Sequence, residues 1–452
     1  MKENKILFIS ANQHKVPYPV YPIGISYITT YLKEKLPEYK TKTLDLNFNT
    51  IEELKSITKE YQPKYIGISF RNVDDVNSYS REEFVSHYKN IIDNLRTITD
   101  AKIIVGGSAF SVFPELMFKK LNPDFGVYGE GEETLSKLIN KLDNNEDYTD
   151  LSRLLYKKDG QCAFNQNESY FKDLNLDFDP NLIDFYWEKS GMLNVQTKRG
   201  CPYNCVYCTY PLIEGSKVRT LNTDKIVDTL KKLYYQKGID YVFFTDSVFN
   251  INNEYNYELA EKIIASGIKI HWGGYFTFKD LDENLLKVLK KSGLQHVEFG
   301  TEAIAEKTLK TYGKHFTVKD VLEKSAICNK LDIPYAHFLI LGGYGETDET
   351  VNETYENSKL IDNSVFFPFV GMRIYPGTKL QEYAIHEGII SKDDNLLEPK
   401  YYLSKDVNYD TLKERARKSG KRWVFPDEDN SKIIDKLRQR NKKGPLWEYM
   451  TM

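Results

Sequence analysis

Cysteine is scarce, at five in 452 residues, too few for a disulfide scaffold. An excess of one charge is missing as well: 62 Lys and Arg face 65 Asp and Glu, a net charge of −3, and no basic block is long enough to serve as a nucleic-acid arm. No apolar run approaches the roughly 18 to 20 residues that span a bilayer, and the opening MKENKILFISANQ has no small-residue cleavage pattern. These absences exclude a disulfide-stapled secreted domain and a membrane span, argue against a nucleic-acid partner, and lead to a cytoplasmic expectation. What remains is ordinary globular composition, 41% hydrophobic and 28% charged, in a chain long enough for about two or three domains.

The first 143 residues alternate β-branched runs with amphipathic stretches, the pattern of a parallel sheet covered by helices. Strands are expected at Ile6–Ser10, Lys42–Asn47, Tyr65–Phe70, Lys102–Val105 and Phe125–Tyr128, with helices at Gly24–Lys35, Thr50–Tyr61, Ser80–Ile98, Pro114–Leu121 and Glu132–Leu142. This is a doubly wound, Rossmann-like α/β domain, whose ligands bind at the carboxyl ends of the strands. Residues 144–190 read as a linker with one hairpin, Leu154–Lys158 and Gln161–Phe164 around Asp159-Gly160. The βα alternation resumes over 191–384 with six strands, near Leu193–Thr197, Tyr241–Phe244, Ile270–Gly273, His296–Phe299, Tyr335–Leu341 and Phe366–Ile374, which suggests a partial TIM-type barrel. Residues 385–452 are expected to form a small C-terminal cap.

Three of the five cysteines, Cys201, Cys205 and Cys208, fall within Lys-Arg-Gly-Cys-Pro-Tyr-Asn-Cys-Val-Tyr-Cys-Thr, directly after the first strand of the second series. A structural zinc takes four ligands in paired short spacings, and no second pair follows. Three soft thiolates on one loop suit an iron–sulfur cluster better, with one iron left open. The string resembles the CxxxCxΦC signature of the radical S-adenosylmethionine (SAM) superfamily, with Tyr207 as the aromatic. Further matches follow in order: Thr245-Asp246-Ser247-Val248-Phe249-Asn250, Phe299-Gly300-Thr301-Glu302, Leu341-Gly342-Gly343-Tyr344-Gly345-Glu346-Thr347 and Tyr375-Pro376-Gly377-Thr378. The resemblance implies that the triad holds a 4Fe-4S cluster whose open iron chelates SAM, and that reductive cleavage yields a 5′-deoxyadenosyl radical. It also implies an external one-electron reductant such as flavodoxin or ferredoxin. Tyr207, Asp246, Ser247, Glu302, Gly342, Gly343 and Arg373 are the expected SAM contacts, the carboxylates as acceptors for ammonium and hydroxyl groups and the glycines as close-approach backbone.

A doubly wound domain ahead of such a barrel resembles the cobalamin-binding arrangement of the class B radical SAM methyltransferases. Pro22, Gly24, Gly106, Gly107, Ser108, Glu130 and Gly131 lie at strand ends or helix starts where a flat macrocycle can approach. The DxHxxG motif that supplies an axial histidine elsewhere is absent; Asn12-Gln13-His14-Lys15-Val16-Pro17 keeps only the histidine. Arg71, beside Asn72 at the end of the third strand, is the residue expected under the corrin; always protonated, it cannot donate a lone pair to cobalt. Its other candidate partners are a ribose, a phosphate or Asp74. Tyr203, Tyr210, Tyr275 and Tyr344 fall by the barrel mouth, and Tyr275 and Tyr344 are the catalytic candidates. His337 reads as a core histidine or a base in the lumen, and Cys328 as a buried hydrophobe.

The resemblance implies a cobalamin-dependent C-methyltransferase acting at an unactivated carbon of a small-molecule, lipid or peptide substrate. Rival readings are a cobalamin-dependent cyclase or ring-rearrangement enzyme without methyl transfer, a methylthiotransferase, and a non-catalytic cobalamin or redox sensor. The methylthiotransferase calls for three more cysteines in the first domain, and residues 1–139 contain none.

Overall fold

The computed structural model describes residues 4–15, 17–165, 170–171 and 178–451, and part of the expected linker, with Val16, lies outside them. The first sheet runs β2-β1-β3-β4-β5-β6-β7, with β1 Lys5–Ser10, β2 Lys40–Asp45, β3 Tyr65–Ser69, β4 Lys102–Gly106, β5 Phe125–Val127, β6 Leu154–Lys158 and β7 Gln161–Phe164. β1 to β5 are parallel, as the alternation predicts, but the hairpin is no linker: it continues the sheet antiparallel, Phe125 opposite Tyr156 and Gly126 opposite Leu155. A three-residue β5 would leave a hydrophobic edge open, and Leu154 and Leu155 bury themselves by covering it. The expected linker also contains a helix, Pro180–Ser190, capped by Asp179 and stopped by left-handed Gly191. Tyr186 on it donates to Asp45 at 2.7 Å and accepts from Asn47 at 2.8 Å, so this segment is a buried strut against the first domain.

The second sheet is fully parallel and open, ordered β14-β13-β12-β11-β10-β9-β8, with β8 Leu193–Val195, β9 Tyr241–Phe244, β10 His271–Phe276, β11 Leu294–Glu302, β12 Tyr335–Leu341, β13 Ser364–Val370 and β14 Arg422–Trp423. Six strands were expected; the seventh comes from the cap region, held where Trp423 stacks on Phe366 at 4.7 Å. The sixth ends at Val370 because Gly371 turns the chain at φ +75°, and Met372–Arg373 pairs instead with Tyr401–Tyr402. His337 faces the helix Val318–Lys330, bonded to Thr301 at 2.8 Å and Ser325 at 3.3 Å. Burial pushes it down to about 3, so it is a neutral core histidine and not a lumen base.

By the same alternation Ala336, Phe338, Val365 and Phe367 face the lumen, and Trp447 packs among them. The tail therefore enters the barrel from below, threaded past Gly444, where φ is +82° and a Cβ would stand 2.5 Å from the Tyr241 ring. Among the described residues no helix is long and apolar enough to cross a membrane.

Candidate functional site

The cysteine loop follows β8. Cys201 N–H donates to Gly215 O at 3.0 Å and Cys208 N–H to Cys205 O at 3.2 Å, which fixes the loop's curl. Burial raises all three thiols, Cys208 to about 12, and each also feels charge on another member of the triad or on Lys314. Among the described residues no three His, Cys, Asp or Glu side chains converge on a point where a single ion would sit. Three soft thiols on one short loop, with Lys314 within reach to offset thiolate charge, are a donor set that suits an iron–sulfur cluster. The Ser247 hydroxyl donates to Gly200 O at 3.2 Å beside Cys201.

Across the mouth, Glu302 ends β11 in the left-handed region, φ +57°, at a register shift in the pairing with β12. Tyr207 donates to its Oε1 at 2.6 Å, and Lys314 lies 2.6 Å from Oε2. Burial pulls Lys314 down, but Glu302 and the thiols outweigh it and hold the ammonium above its ordinary value. Glu302 thus holds its carboxylate in a rare backbone conformation, tied to the cysteine loop by Tyr207. Lys314 was missed from sequence; its signal was a lone lysine after Tyr312-Gly313, indistinguishable from any surface lysine.

Two expected SAM contacts are already engaged. Asp246 is fully buried, accepting from Thr197 N at 2.7 Å and Lys198 N at 3.1 Å, with Lys198 Nζ 3.0 Å away. It stitches β8 to the loop after β9 and has no face toward the mouth. Arg373 is spent on Asp74 of the first domain, Nε to Oδ2 at 2.7 Å, and on three carbonyls, of Ile374, Leu396 and Lys400. The space over Gly342 and Gly343 is filled by protein: a Cβ would meet Tyr409 Oη at 2.4 Å and Tyr312 Oη at 2.3 Å. Glu346, unrecognised in the motif, accepts from both glycine N–H groups and from Tyr312, and clamps this turn. Tyr344 stacks on Tyr383 at 4.2 Å and packs edge-on to Tyr402, in a tyrosine cluster of its own.

In the first domain Pro22 precedes the helix Ile23–Lys35, and Gly24 within it faces open space. Gly106 and Gly107 are required by neighbouring backbone instead: a Cβ on Gly107, at φ +95°, would stand 2.4 Å from Phe70 O. Ser108 Oγ donates to Arg71 O at 2.7 Å, and the Asn72 carbonyl accepts from Tyr88. Glu130 departs from expectation. It is buried between Arg219 at 2.7 Å and Arg199 at 3.3 Å, while Arg199 also holds Glu132 at 2.7 Å, so the loop that carries Gly131 is bolted to the barrel.

Arg71 is exposed, and its guanidinium makes no hydrogen bond or ion pair among the described residues; Asp74 belongs to Arg373. Its charge reaches Tyr210 and Tyr275. Both rings keep 44% and 40% of their surface free, yet desolvation is the main force raising their phenols. Tyr210 also feels Cys208 and Cys201, so it lies within electrostatic reach of both the cysteine loop and Arg71 at the end of β3.

The radical SAM superfamily profile matches residues 195–357, and a B12 binding domain profile matches residues 9–139. An uncharacterized methyltransferase of Pyrococcus horikoshii is 25% identical over 429 residues, 90% of this chain and 91% of its own. An anaerobic magnesium-protoporphyrin IX monomethyl ester cyclase of Cereibacter sphaeroides is 28% identical over 276 residues, 58% of this chain and 45% of its own. The solved radical S-adenosylmethionine methyltransferase TsrM of Kitasatospora setae, with cobalamin and a 4Fe-4S cluster bound, superposes with a TM-score of 0.86 at 19% identity, covering 99% of this chain and 97% of that one.

Proposed function

Because this chain is an enzyme that joins a B12 binding domain to a radical SAM superfamily domain, we propose that it is a cobalamin-dependent radical SAM methyltransferase. The observation that carries the reading is that Tyr210 lies within electrostatic reach of both Cys208 on the cysteine loop and Arg71 of the first domain. When bound, a 4Fe-4S cluster supplies an electron to SAM, and cobalamin supplies a carrier for a methyl group. Cys201, Cys205 and Cys208 would hold the cluster, and Lys314 offsets thiolate charge beside Cys205 and Cys208. Tyr207 and Lys314 orient the Glu302 carboxylate as an acceptor for SAM ammonium or hydroxyl groups. Arg71, an exposed cation with no lone pair to give, would face the cobalamin without serving the cobalt as a ligand.

The test is anaerobic reconstitution with iron and sulfide, addition of hydroxocobalamin, desalting, and metal analysis. About four irons and one cobalt per chain are expected, with iron and SAM cleavage lost in Cys201→Ala. Iron without retained cobalt refutes the cobalamin half. The cyclase relative supports a second reading, ring closure without methyl transfer, and product mass separates the two by one methyl group.

A further inference from the structure

Below Tyr275 the lumen holds a polar cluster that the cofactor site does not use. His296 and Glu298 alternate onto the inner face of β11, in register with Gly273 and Tyr275 of β10. Glycine is required opposite His296, since a Cβ at Gly273 would stand 2.0 Å from the imidazole. The tail supplies the rest. Trp447 Nε1 donates to Glu298 Oε1 at 2.9 Å; Glu448 Oε2 accepts from Tyr241 at 2.9 Å and lies 3.1 Å from His296 Nδ1. His296 Nε2 is 3.8 Å from Glu298 Oε1.

The charges do not balance. Glu298 and Glu448 are 4% and 2% exposed, and among the described residues neither meets a lysine or arginine. Two carboxylates share one imidazole, so with both ionised the cluster is at least one positive charge short, and an uncompensated buried charge is costly. The opening is at Glu298. Glu448 Oε1 is sealed and unpartnered, whereas Glu298 Oε2 makes no hydrogen bond among the described residues and is not among the sealed atoms, so it opens on the lumen. Tyr18 and Tyr275 both feel the Glu298 charge, and Phe243 packs edge-on against Tyr275 at 5.0 Å, which makes the surrounding wall aromatic. Arg71 and Arg438 act on Tyr18 but are partners of neither carboxylate.

We propose that Glu298 receives a cationic nitrogen of the substrate, so that the substrate class is an amine or another protonated nitrogen base on an apolar, ring-sized body. The assignment deepens the proposed function and rests on the lumen being its substrate site. Burial raises the Glu298 carboxyl above its ordinary range, so in the empty lumen it is held toward its neutral form, and an arriving ammonium ionises it.

The test titrates reconstituted holoenzyme with three probes of similar shape: phenethylamine, 2-phenylethanol and 3-phenylpropionate. Phenethylamine should bind about tenfold or more tighter than the other two and alter the emission of Trp447, whose indole holds Glu298. Glu298→Gln should shrink that preference to about twofold or less, and Glu298→Asp should keep its direction. Equal affinity of the three probes, tighter binding of the acid, no binding of the amine, or a preference surviving in Glu298→Gln each overturns the assignment. The wild-type ranking decides the matter even where a variant does not fold. Iron and cobalt measured on the same preparation report separately on the cofactor reading: full loading without an amine preference sinks only the Glu298 assignment.

Discussion

Arg373→Ala should loosen the two domains from each other. The native guanidinium lies 2.7 Å from Asp74 Oδ2 and donates to Leu396 O at 2.7 Å and Ile374 O at 2.5 Å, with the two side chains 2% and 0% exposed. Truncation removes these bonds and the longer one to Lys400 O at 3.5 Å, and strands the Asp74 carboxylate, which among the described residues keeps the Val76 N–H at 2.9 Å. Breaking a buried pair from one side costs about 3–5 kcal/mol, most of it the desolvated charge left behind. Replacing that charge should recover part of the loss, so Asp74→Asn combined with Arg373→Ala should cost less than the two singles summed, by about 2 kcal/mol. The assay is guanidinium unfolding followed by circular dichroism and tryptophan emission, read at the first step because chains of two domains often unfold in more than one. A single-variant cost under about 1 kcal/mol, or singles and double additive within about 0.5 kcal/mol, would refute the claim that this pair is desolvated and coupled.

Burial pushes the Glu346 carboxyl up to about 8, against the bonds from Gly342, Tyr312 and Gly343 that favour its ionised form. Unfolded, it would titrate near about 4.3, so its contribution is full below that pH and is lost as pH rises toward 8; melts at pH 5 and pH 9 should show Glu346→Gln gaining a few degrees on the wild type at the higher pH. Gly107→Ala places a methyl group 2.4 Å from Phe70 O in a left-handed conformation and should cost about 2 kcal/mol or more, with cobalamin retention falling in the same preparation. Glu302→Gln weakens the Lys314 contact and should raise the SAM dissociation constant about tenfold by equilibrium dialysis; unchanged binding would remove Glu302 from the SAM site.

Much of this architecture is legible in periodicity because parallel strands with covering helices impose it directly. β9, β12 and the hairpin strands begin and end where the pattern places them. β14 was not, since two residues, Arg422 and Trp423, carry no period and owe their strand to Phe366 and Val365 across the sheet. The helix Asp348–Ser358 escaped for a related reason: its Asp, Glu, Thr and Asn residues show little apolar contrast, and a capping box at Thr347 does the work that amphipathicity would advertise. At the site, the cysteine triad stands out from spacing alone, because its members are close neighbours in the chain and share one loop. Asp246, Glu130 and Arg373 misled because a carboxylate or guanidinium at a strand end looks the same whether it meets a ligand or a partner 48, 89 or 299 positions away. Glu298 and His296 were hidden inside an ordinary strand, and their meaning depends on Glu448, which only the folded tail brings to them.

That tail sets an order of events during synthesis. The walls of the lumen are complete once Trp423 has paired with Phe366, but Trp447 and Glu448 leave the ribosome later, and until they do the barrel is an open tube with Glu298 facing water. A nascent or trimmed chain can therefore hold its cysteine loop and still lack a binding floor. On the proposed reading, cluster loading and substrate recognition become separable in time, and a chain stalled short of Leu446 should take up iron without preferring amines.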